Sequence, residues 1–233
     1  MGNNIKQACR LLRLGPTLYC DAWELQREIA AARRRGEGPD TLILLEHEHV
    51  YTMGRAGSET NVKVSEQYLS ALGIRVIEVD RGGDVTYHGP GQLIGYPILD
   101  LREYGRDVHR YCWLLEEVVM KTLAEYGIAG FREDELTGVW TKAGKIASIG
   151  IGVRGWISLH GFALNVKPDM RYFDLINPCG ITGRAMVSMQ DLGVEVSLAE
   201  VEGKLSKQFS AVFGVPLAEG QALSPAVAGR IAR

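Results

Sequence analysis

Cysteine is scarce in this chain, and what there is of it is scattered. The four thiols stand at positions 9, 20, 112 and 179 with no C-x-x-C among them, which argues against a zinc site and against a disulfide framework. Charge of one sign is also missing. A net charge of -2 leaves no electrostatic footprint for nucleic acid. No apolar run reaches the 18 residues that a membrane span needs. The opening MGNNIKQACR lacks the apolar core of a signal peptide, and Lys6 stands where a myristoylation signal wants Ser or Thr. The P-loop pattern is absent. Gly89-Pro90-Gly91 does not fit the dinucleotide fingerprint, with proline at its centre and Gln92 after it. These absences leave a cytoplasmic globular protein with no legible nucleotide or metal site. At 233 residues, 46% hydrophobic and 23% charged, it is long enough for one large domain.

What the chain does have is concentrated in RGGDVTYHGPGQLIGYPILDL, residues 81–101. Gly82, Gly83, Gly89 and Gly91 allow close backbone approach to a ligand, while Arg81, Asp84, Thr86, Tyr87, His88 and Gln92 supply polar contacts. The apolar runs IRVIEV (74–79) and LIGYPIL (93–99) flank it as strands. A glycine-rich polar loop between two strands is a ligand-holding device, because binding residues concentrate on loops carried by a rigid scaffold.

In chain order, CRLLRL (9–14) reads as a first strand and about 17–35 as an amphipathic helix with Leu18, Ala22, Leu25, Ile29 and Ala32 on one stripe. Arg33, Arg34 and Arg35 close it, where cations favour the helix dipole. TLILLE (41–46) is a strand running into HEHVYTMGRAG, where His47 and His49 share a face if the chain stays extended. Without further ligands those histidines make no metal site. Tyr51, Met53, Gly54 and Arg55 read as a loop lining something. Residues 65–72 form a short helix and about 107–126 a longer one, with Cys112 as a buried core thiol on its stripe. Residues 138–166 are β-structure broken by turns at Ala143-Gly144 and Arg154-Gly155. NPCGITGR (177–184) is a turn-rich loop. Ser197 and Glu200 stand in capping-box spacing before a helix over 197–213. Residues 1–214 form the catalytic domain, and 215–233 are a loosely held tail with no packing signature. The fold class is α/β (α+β), one domain with a mixed sheet flanked by helices.

Of the four cysteines, only Cys179 lies in a loop, between Pro178 and Gly180, where turn amides face a thiolate and glycine leaves the sulfur open. A thiol with pKa near 8.5 needs a cation or base beside it to act as a nucleophile at neutral pH. His88, His160, Lys142 and Lys145 are the candidates, and spacing does not choose among them.

RGGDVTYHGPGQLIGYPILDL, KIASIGIG, SLHGFALNV and NPCGITG, in that order, resemble the lipoyl(octanoyl) transferase family, as does EHEHVYTMGRAG before them. The likeness runs from about residue 41 to 192. It implies a biotin/lipoate-ligase-like fold and transfer of an octanoyl group from acyl carrier protein to a lysine of a lipoyl domain. The acceptors it implies are proteins such as the glycine cleavage H protein and 2-oxoacid dehydrogenase E2 subunits. The family's thioester-forming cysteine falls on Cys179 and its pKa-lowering lysine on Lys145, leaving Lys142 as a turn residue. Its substrate-contacting segments fall on Arg81, Gly82, Gly83, Asp84, Val85, Thr86, Tyr87 and His88, on Ser148, Ile149 and Gly150, and on Gly161, Phe162 and Ala163.

The residue chemistry agrees with that assignment. Thioester exchange is nearly balanced and amide formation runs downhill, so neither ATP nor a metal is expected. Glycines 82, 83, 150 and 161, with Ala147 and Ala163, suit a narrow slot. Burying about seven carbons there contributes roughly 5 kcal/mol before ordering costs. Two enzymes of the same fold remain as alternatives: an ATP-dependent lipoate ligase, which has no need of Cys179, and an octanoyl amidotransferase, which keeps a cysteine. A non-catalytic acyl-binding module is the alternative from another class, and it leaves the lysine and cysteine unexplained.

Overall fold

The computed structural model describes residues 7–177 and 184–220. Eleven strands and four helices follow one another as β1 (Cys9–Thr17), α1 (Tyr19–Arg35), β2 (Thr41–His47), β3 (Val50–Met53), α2 (Glu66–Ala71), β4 (Arg75–Glu78), β5 (Val85–His88), β6 (Gln92–Ile98), α3 (Val108–Ala124), β7 (Phe131–Glu133), β8 (Leu136–Thr141), β9 (Gly144–Arg154), β10 (Ile157–Asn165), α4 (Leu198–Phe213) and β11 (Leu217–Glu219) among the described residues. Eight strands form one sheet in the order β11-β1-β2-β6-β10-β9-β8-β7, and a second sheet has the order β4-β3-β5. β1 pairs in parallel with β2 and β11, while β2, β6, β10, β9, β8 and β7 are joined by antiparallel ladders. The large sheet is therefore mixed.

Both faces of that sheet are covered, which is why its central strands β6 and β10 are buried along their whole length and β2 at all but Glu46. On one face, Leu42, Leu44, Leu93 and Leu164 pack against Leu115, Val119 and Leu123 of α3 and Leu205 and Phe209 of α4. On the other, Ile43, Leu45, Ile94 and Ile98 meet Ala22, Leu25 and Ile29 of α1. Each of these buried Leu, Ile, Val and Phe side chains contributes on the order of 2 kcal/mol. Helix ends carry the expected chemistry. The Ser197–Glu200 capping box is present, and α1 stops at Gly36 with φ 77°. Arg33, expected to complement the helix dipole, is more specifically used. It reaches Asp40 at 2.8 Å and Asp100 at 3.8 Å and ties the helix end to the residues just before β2 and just after β6.

The structure departs from the sequence expectations at six points, the first being that Tyr51 and Met53, read as loop, belong to the buried strand β3. The stretch between IRVIEV and LIGYPIL is not all loop, because Val85–His88 form a strand of the small sheet. β3 holds register with it by pairing Val50 with His88 and Met53 with Val85. His47 and His49 do not share a face: the chain bends between β2 and β3, so His47 points to Tyr96 while His49 meets the Tyr87 hydroxyl at 2.8 Å and lies against the Tyr172 ring. Leu18 caps α1 and is exposed rather than part of its buried stripe. Cys112 is half-buried, not a core thiol. The folded chain does not end at 214, since Val215 is buried and Leu217–Glu219 add a parallel strand to β1. A three-residue strand with one leucine, one alanine and one glutamate carries too little pattern to be seen without its partner.

Candidate functional site

A narrow pocket opens where β5 of the small sheet faces β9 and β10 of the large one. Strand alternation selects its lining. Asp84, Thr86 and His88 look into it, whereas Val85 and Tyr87 turn away to pack with Tyr51, Leu69 and Phe173. Across the gap stand Ser148, Ile149 and Gly150 of β9, and Gly161, Phe162 and Ala163 of β10. These two strands are register neighbours, with Gly161 opposite Gly150 and Ala163 opposite Ser148. Arg81 and Gly83 complete that wall, while Gly82 does not line it. Three further lining residues, Tyr19, Tyr96 and His160, were not among the sequence candidates for binding. Tyr96 lay inside the apolar run LIGYPIL, where a buried strand hides its facing, and Tyr19 arrives from α1.

Arg81 is buried, and its guanidinium is turned onto β3. It donates to the Thr52 carbonyl at 2.6 Å, to Thr52 Oγ1 at 2.9 Å and to the Gly82 carbonyl at 3.0 Å. Glycines make room for it. A Cβ at Gly54 would stand 2.8 Å from Nη1, and one at Gly150 would stand 3.0 Å from Cδ. Asp84 is likewise committed to structure, accepting from the backbone amides of Val85 at 2.6 Å and Ser58 at 3.3 Å and from the Asn61 side chain.

The other polar groups of the pocket are neutral at neutral pH. Burial pushes His88 well below 6.5 and also lowers His160, which still donates from Nε2 to Asp80 at 2.8 Å. Behind them His47 is driven down to about 4 by burial. The Tyr19 and Tyr96 phenols are pushed up by the same cause. A neutral imidazole is no cation for a thiolate, so His88 and His160 are poor candidates for that task. The lining suits an uncharged chain.

Lys145 is the second residue of β9, three positions before Ser148 on the same strand, hence about 10 Å from the pocket wall. It is 3% exposed. Its ammonium lies 5.4 Å from the centre of the Trp140 ring, and its aliphatic stem passes over Gly138, whose φ is 132°. Lys142, by contrast, is exposed in the turn before β9. The backbone of Lys145 holds the incoming segment: its N–H donates to the Ala185 carbonyl at 2.9 Å and its carbonyl accepts from Val187 at 2.9 Å. Cys179 lies outside the described residues. On its near side, Asn177 donates to the Asn61 carbonyl at 2.7 Å. Burial pushes the Cys9 thiol up to about 12 and the Cys112 thiol up to about 11, so both are held protonated. Among the described residues no group of three or more His, Cys, Asp or Glu side chains could hold a metal ion. No helix among them is long and apolar enough to cross a membrane. A larger open groove of about 900 Å³ lies elsewhere, lined by residues such as Cys20, Leu69 and Ile77, with neither Lys145 nor the pocket strands beside it.

The lipoyl protein ligase A/B catalytic domain family matches residues 19–210. An octanoyltransferase of Rubrobacter xylanophilus is 52% identical over 205 residues, covering 87% of this chain and 92% of that protein. A putative lipoate protein ligase from T. acidophilum, solved with bound lipoic acid, has a TM-score of 0.75 at 19% identity, covering 96% of this chain and 94% of that one. Biotin protein ligase from Aquifex aeolicus, solved with biotin and ATP, has a TM-score of 0.52 at 15% identity, covering 88% of this chain and 70% of that one. Those two solved structures carry the fold alone. The chain belongs to the lipoyl protein ligase A/B catalytic domain family. Within it, the similarity to octanoyltransferases makes the chain an acyltransferase.

Proposed function

We propose that the chain moves an octanoyl group from acyl carrier protein to a lysine of a lipoyl domain, in the cytoplasm, through a thioester on Cys179. The observation that carries this reading is the strand β9, which begins with the buried Lys145 and continues, three residues on, as a wall of the uncharged pocket. The octanoyltransferase name of the Rubrobacter relative supports the same substrate.

Each step uses residues of this chain. Lys145 as an ammonium stabilises the Cys179 thiolate. The thiolate attacks the carrier thioester; its new C–S bond forms as the carrier's C–S bond breaks, and the departing carrier thiolate takes the proton of Lys145. The acceptor lysine, as a free amine, then attacks the enzyme thioester. A C–N bond forms, the C–S bond breaks, and the neutral amine of Lys145 accepts the proton lost by the attacking nitrogen. Cys179 thiolate and Lys145 ammonium are restored together, so the cycle requires neither ATP nor a metal. The acyl tail lies between Arg81–His88, Ser148–Gly150 and Gly161–Ala163, where nothing charged is free to repel it.

Intact mass after mixing with octanoyl-carrier protein and no acceptor tests this. The expected result is one added octanoyl group, removable by hydroxylamine, absent in Cys179→Ser and retained in Cys112→Ser. An adduct surviving Cys179→Ser sinks the reading. Modification of a lipoyl domain that requires free octanoate, ATP and magnesium would establish a ligase instead.

A further inference from the structure

Five buried polar side chains form a hydrogen-bonded line from the pocket wall to the strand of Lys145. Arg81 Nη2 donates to Thr52 Oγ1 at 2.9 Å, and Thr52 Oγ1 meets His88 Nε2 at 3.3 Å. His88 Nδ1 meets Gln92 Oε1 at 3.2 Å, Gln92 Nε2 donates to Asn165 Oδ1 at 3.0 Å, and Asn165 Nδ2 donates to the Val187 carbonyl at 3.0 Å. Val187 in turn donates its N–H to the Lys145 carbonyl, and Met189 donates to the Asn165 carbonyl at 2.9 Å.

The direction of every bond in the line is forced. Gln92 Nε2 faces two acceptors, the Tyr87 carbonyl and Asn165 Oδ1, so its oxygen must face His88. His88 therefore carries its proton on Nδ1, leaving Nε2 bare to accept from Thr52, whose oxygen accepts from Arg81. All five donors point the same way, toward Val187. Thr52 is 0%, Gln92 1% and Asn165 1% exposed, so none of these groups has water to fall back on. A buried network with every member satisfied is rigid, and loss of one member leaves its neighbours unpaired.

We propose that Asn165 and Gln92 are positioning residues for acyl transfer: they lock the 185–189 segment, which follows the Cys179 loop in sequence, in register on Lys145 and couple that register to the Arg81 wall of the pocket. Neither side chain lines the pocket. They act through Val187 and Lys145 and do not touch the acyl group. Among the described residues the segment has two backbone bonds to Lys145 and one from Met189 to Asn165, with Gln190 donating to the Val166 carbonyl at 3.0 Å just beyond it. To these the Asn165 side chain adds its bond to the Val187 carbonyl, between the Lys145 and Asn165 backbone contacts. This inference rests on the thioester mechanism above.

The test compares Asn165→Leu, Gln92→Met and Thr52→Val with the wild type. Wild-type acyl-enzyme formation is measured first, and its absence would remove the mechanism itself, not only the positioning role. Given that adduct, Asn165→Leu is expected to lower kcat at least about tenfold while KM for octanoyl-carrier protein stays within about twofold, as for an interaction felt mainly in the transition state. Its Cys179 alkylation profile should move to higher pH. Gln92→Met and Thr52→Val, which interrupt the line without touching Val187, should give smaller losses in the same order and direction. They carry the test if Asn165→Leu fails to fold. Folded variants with wild-type kcat and an unmoved alkylation profile overturn the proposal. So does a loss confined to KM, which would make these residues part of substrate binding.

Discussion

A Cβ built on Gly138 would stand 2.5 Å from Cε of Lys145 and 3.2 Å from its Nζ. The glycine on β8 is thus the bed on which the lysine side chain lies, and its amide is fixed in turn by Glu116 of α3 at 2.9 Å. Gly138→Ala should displace the ammonium and also strain a backbone held at φ 132°. Octanoyl transfer is expected to fall by about tenfold or more, since misplacing a catalytic group by 1 Å costs up to about a hundredfold. Single-turnover kinetics on folded variant protein check this. A rate equal to wild type would show that the lysine has room to spare.

Lys145→Met keeps the length and apolar stem of the side chain but removes its charge. The alkylation midpoint of Cys179 should rise by about one pH unit or more, because a neighbouring cation commonly lowers a thiol that far. Iodoacetamide labelling from pH 5 to 10, read by mass spectrometry, measures the shift. Superimposable profiles would free Lys145 of the role, and the buried neutral histidines would not inherit it.

Chain length should be read by the space between Arg81 and β9. A side chain at position 150 would meet Arg81 Cδ at 3.0 Å and the Gly82 carbonyl at 3.2 Å. Arg81 is tied to Thr52 and gives way reluctantly. Gly150→Val is expected to shift the preference from eight carbons toward shorter donors, each methylene being worth about 0.8 kcal/mol while the slot is unfilled. Competition between six-, eight- and ten-carbon carrier thioesters is the measurement. Wild-type preference in a normally folded variant places the chain elsewhere.

Stability should fall with pH on the acid side for a reason located at His47. Its Nδ1–H donates to the Thr17 carbonyl at 2.7 Å and its Nε2 accepts from the Tyr96 hydroxyl at 2.8 Å, so the folded protein holds it neutral. With its pKa lowered from 6.5 to about 4, the unfolded chain binds the extra proton first. Stability is therefore complete above about 6.5 and is lost as pH drops toward 4, by on the order of 3 kcal/mol from this residue. Urea denaturation of wild type and His47→Gln across that range tests it. The variant should lose up to about one proton's worth of slope, and an unchanged slope would assign the acid sensitivity to other groups.

Much of this protein was readable without coordinates. Periodicity located the four helices and most of the large sheet, because amphipathic stripes and apolar runs are local consequences of which faces are buried. The glycine-rich 81–92 stretch marked itself by composition. Lys145 and Cys179 were singled out by chemistry and family likeness. Tertiary structure decided what the local pattern is blind to. Strand β5 emerged only through its ladder with β3, and β11 only through the edge of β1. Tyr19 and Tyr96 reach the pocket from elements distant in sequence, so no local spacing connects them. Gly138 and Lys145, seven residues apart, meet because β8 and β9 fold back on each other. The line from Arg81 to Val187 spans both sheets. Hydrogen bonds of that kind depend on angles and on the exclusion of water, and those exist only once the sheets have packed.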